Sequence, residues 1–530
     1  MKRSDPNRIA VMDVTLRDGE QTPEVAYTAA EKLQLARLLL EDVGVDRIEI
    51  ASSRVSEGER EAAQLIAEWA RKEHMAPRVE ILGYSDGTTS VDWIVETGGR
   101  VLNLLVKGSE CHCRGQLNMT PERHRGWVSE TVRYARRKRL LVNVYLEDWS
   151  NGVRDSFDYV FAMVQILCEL GAHRIYLPDT LGILAPDGVE RYVGLMTATW
   201  PDAVFEFHAH NDYSLATANC LAAVRAGARG VHTSVNGMGE RTGNASLAEV
   251  VAAVHDHTSF RTGVDESRLA AVSRMVETFS GKVVAANAPI VGRDAFTQTA
   301  GIHADGDLKG DLYASRLAPA RFNRRRRYAL GKLSGKASLD HNLKALGIDL
   351  PDSDRALVLQ RIVELGDKKH TVVPEDLPYI IADVLKSPER QLVRVEHYEV
   401  TVGTDQVPRA EVSVAYRKRK ASGVATGDGG YDAFMNALKK AVKKFGIEVP
   451  RLEDFRVRIP PGGRTGALVE TLITWRGGDA EEGTFTTLGV DTDQLAAAVI
   501  ATEKMLNATA PRPRPEPRRR RRATRPRAAR

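Results

Sequence analysis

The feature of the sequence that most restricts the fold is a regular alternation of strand-like and helix-like segments in the first half of the chain. Apolar runs rich in β-branched residues alternate with segments in which apolar residues recur at helical spacing. Eight strand-like runs occur, at residues 9–15, 47–52, 79–84, 101–106, 141–147, 174–180, 205–210 and 231–236. Eight strands alternating with helices predict an α/β fold, a (β/α)8 barrel whose parallel strands close into a cylinder inside a ring of helices.

A doubly wound open sheet is the alternative that this alternation leaves. Such sheets more often carry a glycine-rich dinucleotide-binding turn directly after the first strand. Here the first run leads into Leu16-Arg17-Asp18-Gly19-Glu20, which is not such a turn. We therefore expect the barrel, with its functional groups at the carboxyl ends of the strands.

The length of 530 residues predicts two or three domains. We assign residues 1–285 to the barrel and 286–393 to connecting subdomains, mainly helical with a basic stretch at 320–336. A separate α+β domain is expected at 394–508, with strands at 398–403, 409–416, 455–459, 467–475 and 483–489 and helices at 430–445 and 493–506. Residues 509–530 are rich in Pro and Arg, and we expect them to be disordered.

The charge of the chain is concentrated at one end. Residues 511–530 hold ten Arg and one Glu, and without them the formal charge of +5 becomes −4. The body of the chain thus gives no electrostatic reason to expect nucleic acid as a partner. No stretch approaches the roughly 20 apolar residues of a membrane helix, and the first residues lack the apolar segment of a signal peptide. Four Cys exclude a disulfide scaffold, so we expect a cytoplasmic protein.

Arg17 and Asp18 stand where the first strand ends and a loop begins. A guanidinium at this edge of a barrel can stabilise negative charge that develops on an oxygen. A carboxylate there can bind a metal ion. The alternative is a surface turn that carries a chance ion pair.

The seventh strand predicts a metal site. His208 and His210 are two residues apart in a strand and therefore point to the same side. Together with Asp18 they form a set of two His and one carboxylate with open positions, which leaves Zn, Mn, Mg, Co or Fe as the ion. Asn244, in the glycine-containing loop after the eighth strand, could add an amide oxygen. The alternative for that loop is an ordinary flexible turn.

Other strand ends supply further polar groups. Glu147 and Asp148 follow the fifth strand, and Asp179 and Thr180 follow the sixth. Each of these alone is as much a candidate for capping the next helix as for chemistry. Candidates on five strand ends are typical of the functional edge of a barrel.

Six segments of the sequence resemble those of a known enzyme family. They are residues 15–21 (TLRDGEQ), 177–182 (LPDTLG), 208–212 (HAHND), 236–244 (NGMGERTGN), 297–306 (TQTAGIHADG) and 330–336 (LGKLSGK). In order and spacing they are similar to the signatures of the isopropylmalate, homocitrate and citramalate synthases, and the pattern resembles the citramalate synthases most. These belong to a metal-dependent barrel group that includes hydroxymethylglutaryl-CoA lyase. The domain at 394–508 looks like the regulatory domain of the family.

The resemblance implies a Claisen-type condensation of acetyl-CoA with a 2-oxo acid, followed by thioester hydrolysis. Asp18, His208, His210 and Asn244 would hold the divalent ion that chelates the 2-oxo acid, with Zn, Mn, Mg or Co as the ion. Arg17 would stabilise the alkoxide, Arg17 and Asp18 would lie against the substrate, and Thr180 would hydrogen-bond its carboxylate. The candidate bases are Glu147 and a linker pair, His303 and Tyr313, that reaches the barrel of a second subunit in a homodimer.

The rim ends of the third, fourth and fifth strands supply Leu82, Leu105 and Tyr145. In the family we take these positions to line the space over the alkyl group of the 2-oxo acid. Three bulky side chains leave room for a methyl group and crowd an isopropyl group, which favours pyruvate and an (R)-citramalate product for isoleucine biosynthesis. The alternatives are a 2-isopropylmalate synthase of leucine biosynthesis, a lyase or aldolase on the same barrel, and plain barrel core for the three residues. A branched-chain amino acid is the expected feedback inhibitor.

Overall fold

The computed structural model describes residues 7–310, 312–367, 372–385, 392–458, 469–477 and 484–510. The chain divides into two compact units. The first comprises Met1–Phe296 and Ala314–Arg326, and the second comprises Thr297–Tyr313 and Arg327–Arg530.

The first unit is a closed barrel of eight parallel strands, which confirms the predicted fold class. The last strand pairs with the first in parallel, Ala10 opposite Gly230, so the sheet has no open edge. The strands are β1 (Ala10–Asp13), β2 (Arg47–Ser52), β3 (Val79–Tyr84), β4 (Val101–Lys107), β5 (Leu141–Glu147), β6 (Arg174–Asp179), β7 (Phe205–Ala209) and β8 (Gly230–Thr233).

The described part of this unit has eleven α-helices, which surround or follow the strands. They are α1 (Ala29–Arg37), α2 (Glu57–Lys72), α3 (Thr89–Glu96), α4 (Glu110–Gly115), α5 (Pro121–Arg137), α6 (Trp149–Asp155), α7 (Phe157–Glu169), α8 (Pro186–Thr199), α9 (Ala216–Arg225), α10 (Leu247–His257) and α11 (Leu269–Ser280). Side chains define several helix starts: Thr28 forms a capping box with Glu31, and Ser56 accepts from the backbone of Glu59.

The main hydrophobic core of the barrel lies between the outer faces of the strands and the helices. Val11, Ile48, Ile81, Leu104 and Phe207 belong to it, and all are fully buried. Because side chains alternate along a strand, the residues between them face the lumen. The lumen has a small apolar cluster of its own, formed by Met12, Val14, Leu82, Tyr145 and Tyr176 with Leu105 packed against it.

The rest of the lumen is polar, and its groups are connected to one another. Arg47 donates to Glu80, Tyr176 and Glu206 near the amino ends of the strands. Glu206 also contacts His232, whose other ring nitrogen lies 3.1 Å from the Tyr145 hydroxyl. We call this set the lumen network; its members are Arg17, Arg47, Glu49, Glu80, Tyr145, Arg174, Tyr176, Glu206 and His232.

The second unit begins with two short parallel strands, β9 (Thr297–Gln298) and β10 (Arg327–Tyr328). Its helices are α12 (Gly301–Leu308), α13 (Lys336–Ala345), α14 (Asp352–Asp367) and α15 (Leu377–Leu385). Leu339, Val358, Ile362 and Ile381 are among the buried residues of a separate small core in this region.

The remainder of the second unit is an α+β domain, as predicted. Two antiparallel three-stranded sheets each carry one helix: β11 (Val393–Gly403), β12 (Gln406–Tyr416) and β13 (Arg419–Thr426) with α16 (Gly430–Lys443), and β14 (Arg451–Arg458), β15 (Val469–Arg476) and β16 (Thr484–Asp491) with α17 (Gln494–Thr509). Phe434, Leu438, Trp475 and Leu506 lie in one core that both halves share.

The sequence did not predict β13. Its sequence RKASGVAT has few large apolar residues and one Gly, and most of its residues are exposed or half-buried. The helix α17 also ends at Thr509, three residues later than expected. The expected disorder of the Arg-rich end falls on residues 511–530, which lie outside the described residues. The same is true of position 459 of the third expected strand, positions 467–468 of the fourth and position 483 of the fifth. Within the described part of the chain, none of the helices is long and apolar enough to cross a bilayer.

Candidate active site

The turn after β1 presents two charged side chains to the carboxyl end of the barrel. Val14 O accepts hydrogen bonds from the backbone of Arg17 and Gly19, which closes the turn. The buried Lys32 ammonium donates to Leu16 O at 3.0 Å and so stabilises the turn. Arg17 donates to Asp18 at 2.9 Å, and both side chains are almost fully buried.

The structure brings Asp18, His208 and His210 together. His208 lies in β7 and His210 follows directly after it, so both rings point to the same side. Asp18 Oδ2 lies 3.4 Å from His208 Nε2 and 3.8 Å from His210 Nε2, and the two Nε2 atoms are 3.4 Å apart. One ligand atom from each of the three residues therefore lies within 4.8 Å of the others, an arrangement that one cation can bridge.

Asn244 completes one side of this cluster. It pairs with His210 through an isolated β-bridge, and its Nδ2 donates to Met238 O at 2.9 Å. This bond turns the amide so that Oδ1 is buried without a hydrogen-bond partner, and the same is true of Asp18 Oδ1. A Cβ at Gly239 would lie 3.1 Å from Asp18 Oδ1 and 2.3 Å from Asn244 Nδ2. Two orphaned buried acceptors beside two imidazoles fit a divalent metal ion.

The protonation states also suit a metal. Burial lowers the pKa of both His208 and His210 to about 4, so each ring is neutral near pH 7 and can bind through a nitrogen. Burial alone would raise the pKa of Asp18, but the Arg17 guanidinium and the hydrogen bond with His208 hold it well below its usual range. An ionised carboxylate and two neutral imidazoles are the forms that bind metal.

Glu49, in the middle of β2, is a member of the site that the sequence reasoning missed. Its Oε2 accepts from Arg17 Nε at 2.6 Å, and its Oε1 accepts from Asn103 Nδ2 at 2.7 Å. Burial alone would lower the pKa of Arg17, but the Glu49 and Asp18 carboxylates raise it, so the guanidinium is firmly charged. The available signal was a carboxylate between two Ile of a fully buried strand, at a position that alternation assigns to the lumen.

Leu82, Leu105 and Tyr145, the three residues expected over the substrate alkyl group, do meet inside the barrel. Tyr145 lies next to the charged groups: its hydroxyl is 3.4 Å from Arg17, and its ring centroid is 5.8 Å from that of His208. Leu82 is buried, whereas Leu105 is only partly buried. The three side chains form one cluster, which we call the apolar wall, and its member Tyr145 lies directly beside Arg17.

The ends of β4, β5 and β6 carry the remaining candidates. Glu147 forms an ion pair with Lys107, which the sequence reasoning did not single out. Thr180 Oγ1 accepts from Asp148 N at 2.9 Å, which leaves its hydroxyl hydrogen free to be donated elsewhere. Asp179 accepts from the backbone of Ile183 and Leu184, so it stabilises the loop that follows β6.

His303 and Tyr313 belong to the second unit. His303 lies in α12, and the two ring centroids are 4.2 Å apart. The sequence resemblance paired these residues, and within this unit they are neighbours.

Three family models match successive parts of the chain. The HMGL-like model matches residues 8–276, the homocitrate synthase post-HMGL domain-like model matches 290–370, and the LeuA allosteric (dimerisation) domain model matches 371–510. The first match coincides with the barrel that carries Asp18, His208 and His210. The chain belongs to the HMGL-like family, and within it to the isopropylmalate, homocitrate and citramalate synthases.

More particularly, the protein is an acyltransferase of the citramalate and 2-isopropylmalate synthase type, which condenses acetyl-CoA with a 2-oxo acid. The chain is 33% identical to the (R)-citramalate synthase of Methanocaldococcus jannaschii over 89% of this chain and 94% of that protein. Two Methanopyrus kandleri proteins are each 36% identical to it. One is assigned as an (R)-citramalate synthase, over 93% of this chain and 94% of that protein, and the other as a 2-isopropylmalate synthase, over 96% and 99%.

Proposed function

We propose that the 2-oxo acid is pyruvate and that the product is (R)-citramalate, which serves isoleucine biosynthesis in the cytoplasm. The apolar wall of Leu82, Leu105 and Tyr145 carries this proposal, because its member Tyr145 lies beside Arg17, where we expect the 2-oxo acid to bind. Equal identity to relatives of both assignments does not distinguish the two acids. The choice therefore depends on the space over the alkyl group.

Asp18, His208, His210 and Asn244 would hold a divalent ion, Zn, Mn, Mg or Co, which when bound would supply Lewis-acid polarisation of the ketone of the 2-oxo acid. The two orphaned acceptors, Asp18 Oδ1 and Asn244 Oδ1, support this ligand set. Both histidines are held neutral by burial, so neither has to lose a proton before binding.

Arg17 is placed to stabilise the oxygen that becomes negative when the new carbon–carbon bond forms. Its Nε is held by Glu49, which leaves the NH1 and NH2 edge of the guanidinium facing Asp18 and Tyr145. A donor fixed in this way costs little reorganisation when charge develops. The Thr180 hydroxyl, which already accepts from Asp148 N, would donate to the substrate carboxylate.

Glu147 is the proposed base that takes a proton from the acetyl methyl group. It ends β5 two residues after Tyr145, and its side chain is 24% exposed, so a substrate can reach it from the open end of the barrel. His303 and Tyr313 are the second candidate for proton transfer, on the strength of the family resemblance. We expect a homodimer, in which the LeuA-type domain would bind the feedback inhibitor.

The difference between pyruvate and 2-oxoisovalerate is an isopropyl group in place of a methyl group. Favourable contact with one extra methylene contributes only about 1–3 kcal/mol, whereas a clash with a fixed wall excludes the larger acid more strongly. Leu105 is the member of the wall that is only partly buried, so its side chain borders open space. Trimming it should enlarge that space with the least damage to the core.

The test compares kcat/KM for pyruvate, 2-oxobutanoate and 2-oxoisovalerate, measured by release of the free thiol of CoA. We expect pyruvate to be preferred, and Leu105→Val to raise the use of 2-oxobutanoate relative to pyruvate about 10-fold. Leu104→Val is the matched control, because it removes the same group from the preceding residue of β4, which faces the outer core. It should not change the ratio of kcat/KM for 2-oxobutanoate to that for pyruvate. A preference of the parent protein for 2-oxoisovalerate would instead assign it as a 2-isopropylmalate synthase.

A further inference from the structure

Lys107 is the last residue of β4 and carries the nearest cation to the proposed base. Alternation along β4 places Asn103, Leu105 and Lys107 on the lumen side. In the register between β4 and β5, Leu105 stands opposite Tyr145, and Lys107 stands opposite Glu147. The ammonium and the carboxylate form a direct ion pair.

The surroundings of Lys107 are unusual for a lysine. Its side chain is 10% exposed, and among the described residues Glu147 is the only group that pairs with its ammonium. An ammonium has three donors, so two of them have no protein partner. By contrast, the ammonium of the buried Lys32 contacts two backbone carbonyls and two carboxylates. Desolvating a cation whose donors lack protein partners costs free energy. We therefore infer that a substrate oxygen accepts from these donors.

The pair lies directly above the apolar wall. Two residues of a strand rise by about 6.6 Å, so Lys107 and Glu147 form the layer that follows Leu105 and Tyr145 toward the open end. The Tyr145 hydroxyl contacts Arg17, and its ring contacts His208. A 2-oxo acid beside Arg17 would therefore have Lys107 and Glu147 over it, where the acetyl group has to enter.

We propose that Lys107 is a further catalytic residue, which binds the thioester oxygen of acetyl-CoA and stabilises the enolate. In this step the Glu147 carboxylate takes a methyl proton and becomes a carboxylic acid. The electron pair of the broken C–H bond forms the C=C bond of the enolate, and the carbonyl π pair moves onto oxygen. The Lys107 ammonium donates a hydrogen bond to that oxygen. The C=C π pair of the enolate then forms the new bond to the ketone carbon of the 2-oxo acid, the thioester C=O bond re-forms, and the π pair of the ketone moves onto its oxygen.

This proposal rests on the proposed function, since it requires an acetyl-CoA enolate to form beside Lys107. A purely structural role, in which Lys107 only neutralises Glu147, makes a different prediction. If Lys107 stabilises the enolate, its loss makes proton abstraction slower than every other step. If it only supports the fold, all steps decline together.

The experiment measures turnover with acetyl-CoA and with methyl-deuterated acetyl-CoA. For Lys107→Met we expect kcat to fall at least 100-fold and the primary deuterium isotope effect to rise above that of the parent, with inhibition by free CoA unchanged within threefold. Lys107→Arg, which keeps the charge, should retain more activity than Lys107→Met. Lys138→Met removes a lysine from an exposed ion pair with Asp92 and serves as the control that should behave like the parent.

Two results would overturn the proposal: Lys107→Met within fivefold of the parent, or a loss of activity with an unchanged isotope effect. If Lys107→Met fails to fold, as judged by circular dichroism, the isotope effect of Lys107→Arg decides in the same way. Failure of the proposed function is visible separately. A parent that prefers another 2-oxo acid still uses acetyl-CoA, and activity that survives in Glu147→Gln would move the base elsewhere without altering the test of Lys107.

Discussion

The buried carboxylate of Glu49 allows a sharp test of how the site is held together. Glu49 accepts from Arg17 Nε at 2.6 Å and from Asn103 at 2.7 Å, and its side chain is fully buried. Glu49→Gln keeps the size of the side chain and removes its charge. Arg17 then has Asp18 as its one remaining ion-pair partner among the described residues, and Asp18 is also the proposed metal ligand.

The expected magnitude follows from this burial. Removing one partner of a buried ion pair costs about 3–5 kcal/mol, because the other charge is left uncompensated. Asp18 still offsets part of the Arg17 charge, so we expect the lower end, about 3 kcal/mol of unfolding free energy. Activity should fall further than stability alone explains, because Arg17 loses the carboxylate that orients it. Loss of one fixed donor to a developing oxyanion typically lowers kcat by about 10²–10³.

Urea unfolding of the barrel and thiol release measure the two effects. The control is Glu96→Gln, which removes the same charge from an ion pair with Arg60 in which Glu96 is 58% exposed. That variant should lose less than about 1 kcal/mol and keep its activity. If Glu49→Gln unfolds at the urea concentration of Glu96→Gln and turns over within threefold of the parent, the Arg17–Glu49 pair does not hold the site together.

Three further outcomes are expected. Chelation should abolish turnover, and added divalent ions should restore it. His208→Ala should lose both bound metal and activity while its circular dichroism spectrum stays unchanged. Full activity in a verified metal-free sample would refute the metal site. Burial raises the pKa of Asp13 from 3.8 to about 7. Asp13 therefore makes stability fall as pH rises from about 4 to about 7, by about 4 kcal/mol, and Asp13→Asn should remove this fall in urea titrations at pH 4 and pH 8. Truncation after Leu385 should abolish inhibition by isoleucine; unchanged inhibition would place the effector site elsewhere.

The barrel could be predicted because each strand carries its own local signal. The bounds of β2, β3 and β5 match the strand-like runs to the residue, since apolar content and flanking turns define them. The meeting of Asp18, His208 and His210 followed from the same reasoning: they lie at strand ends, and a barrel brings the carboxyl ends of all its strands to one face. The strand β13 was missed because it has few large apolar residues. Its sequence therefore carries little of the apolar alternation that predicts a strand, although the strand pairs with β12.

Glu49 and Lys107 could not be found by the same reasoning. Glu49 lies between two Ile in a strand-like run, and Lys107 directly follows the run at 101–106, so neither stood out as a member of a motif. Their roles depend on partners 32 and 40 residues away, Arg17 and Glu147 respectively. Alternation predicts which side of the strand they face, but only the closed barrel brings those partners within reach.

The lumen network has a consequence for how this scaffold can be altered by selection. Glu206 contacts Arg47, Arg174 and His232, so its replacement would leave Arg47 with Glu80 alone and Arg174 with no carboxylate partner among the described residues. Substitutions at the floor of the barrel are therefore tolerated only as compensating sets, which rarely arise in one mutational step. Positions at the open end, such as Leu105, can change singly. Libraries that seek new 2-oxo acid substrates should vary Leu82 and Leu105 and leave the lumen network and the Lys107–Glu147 pair unchanged.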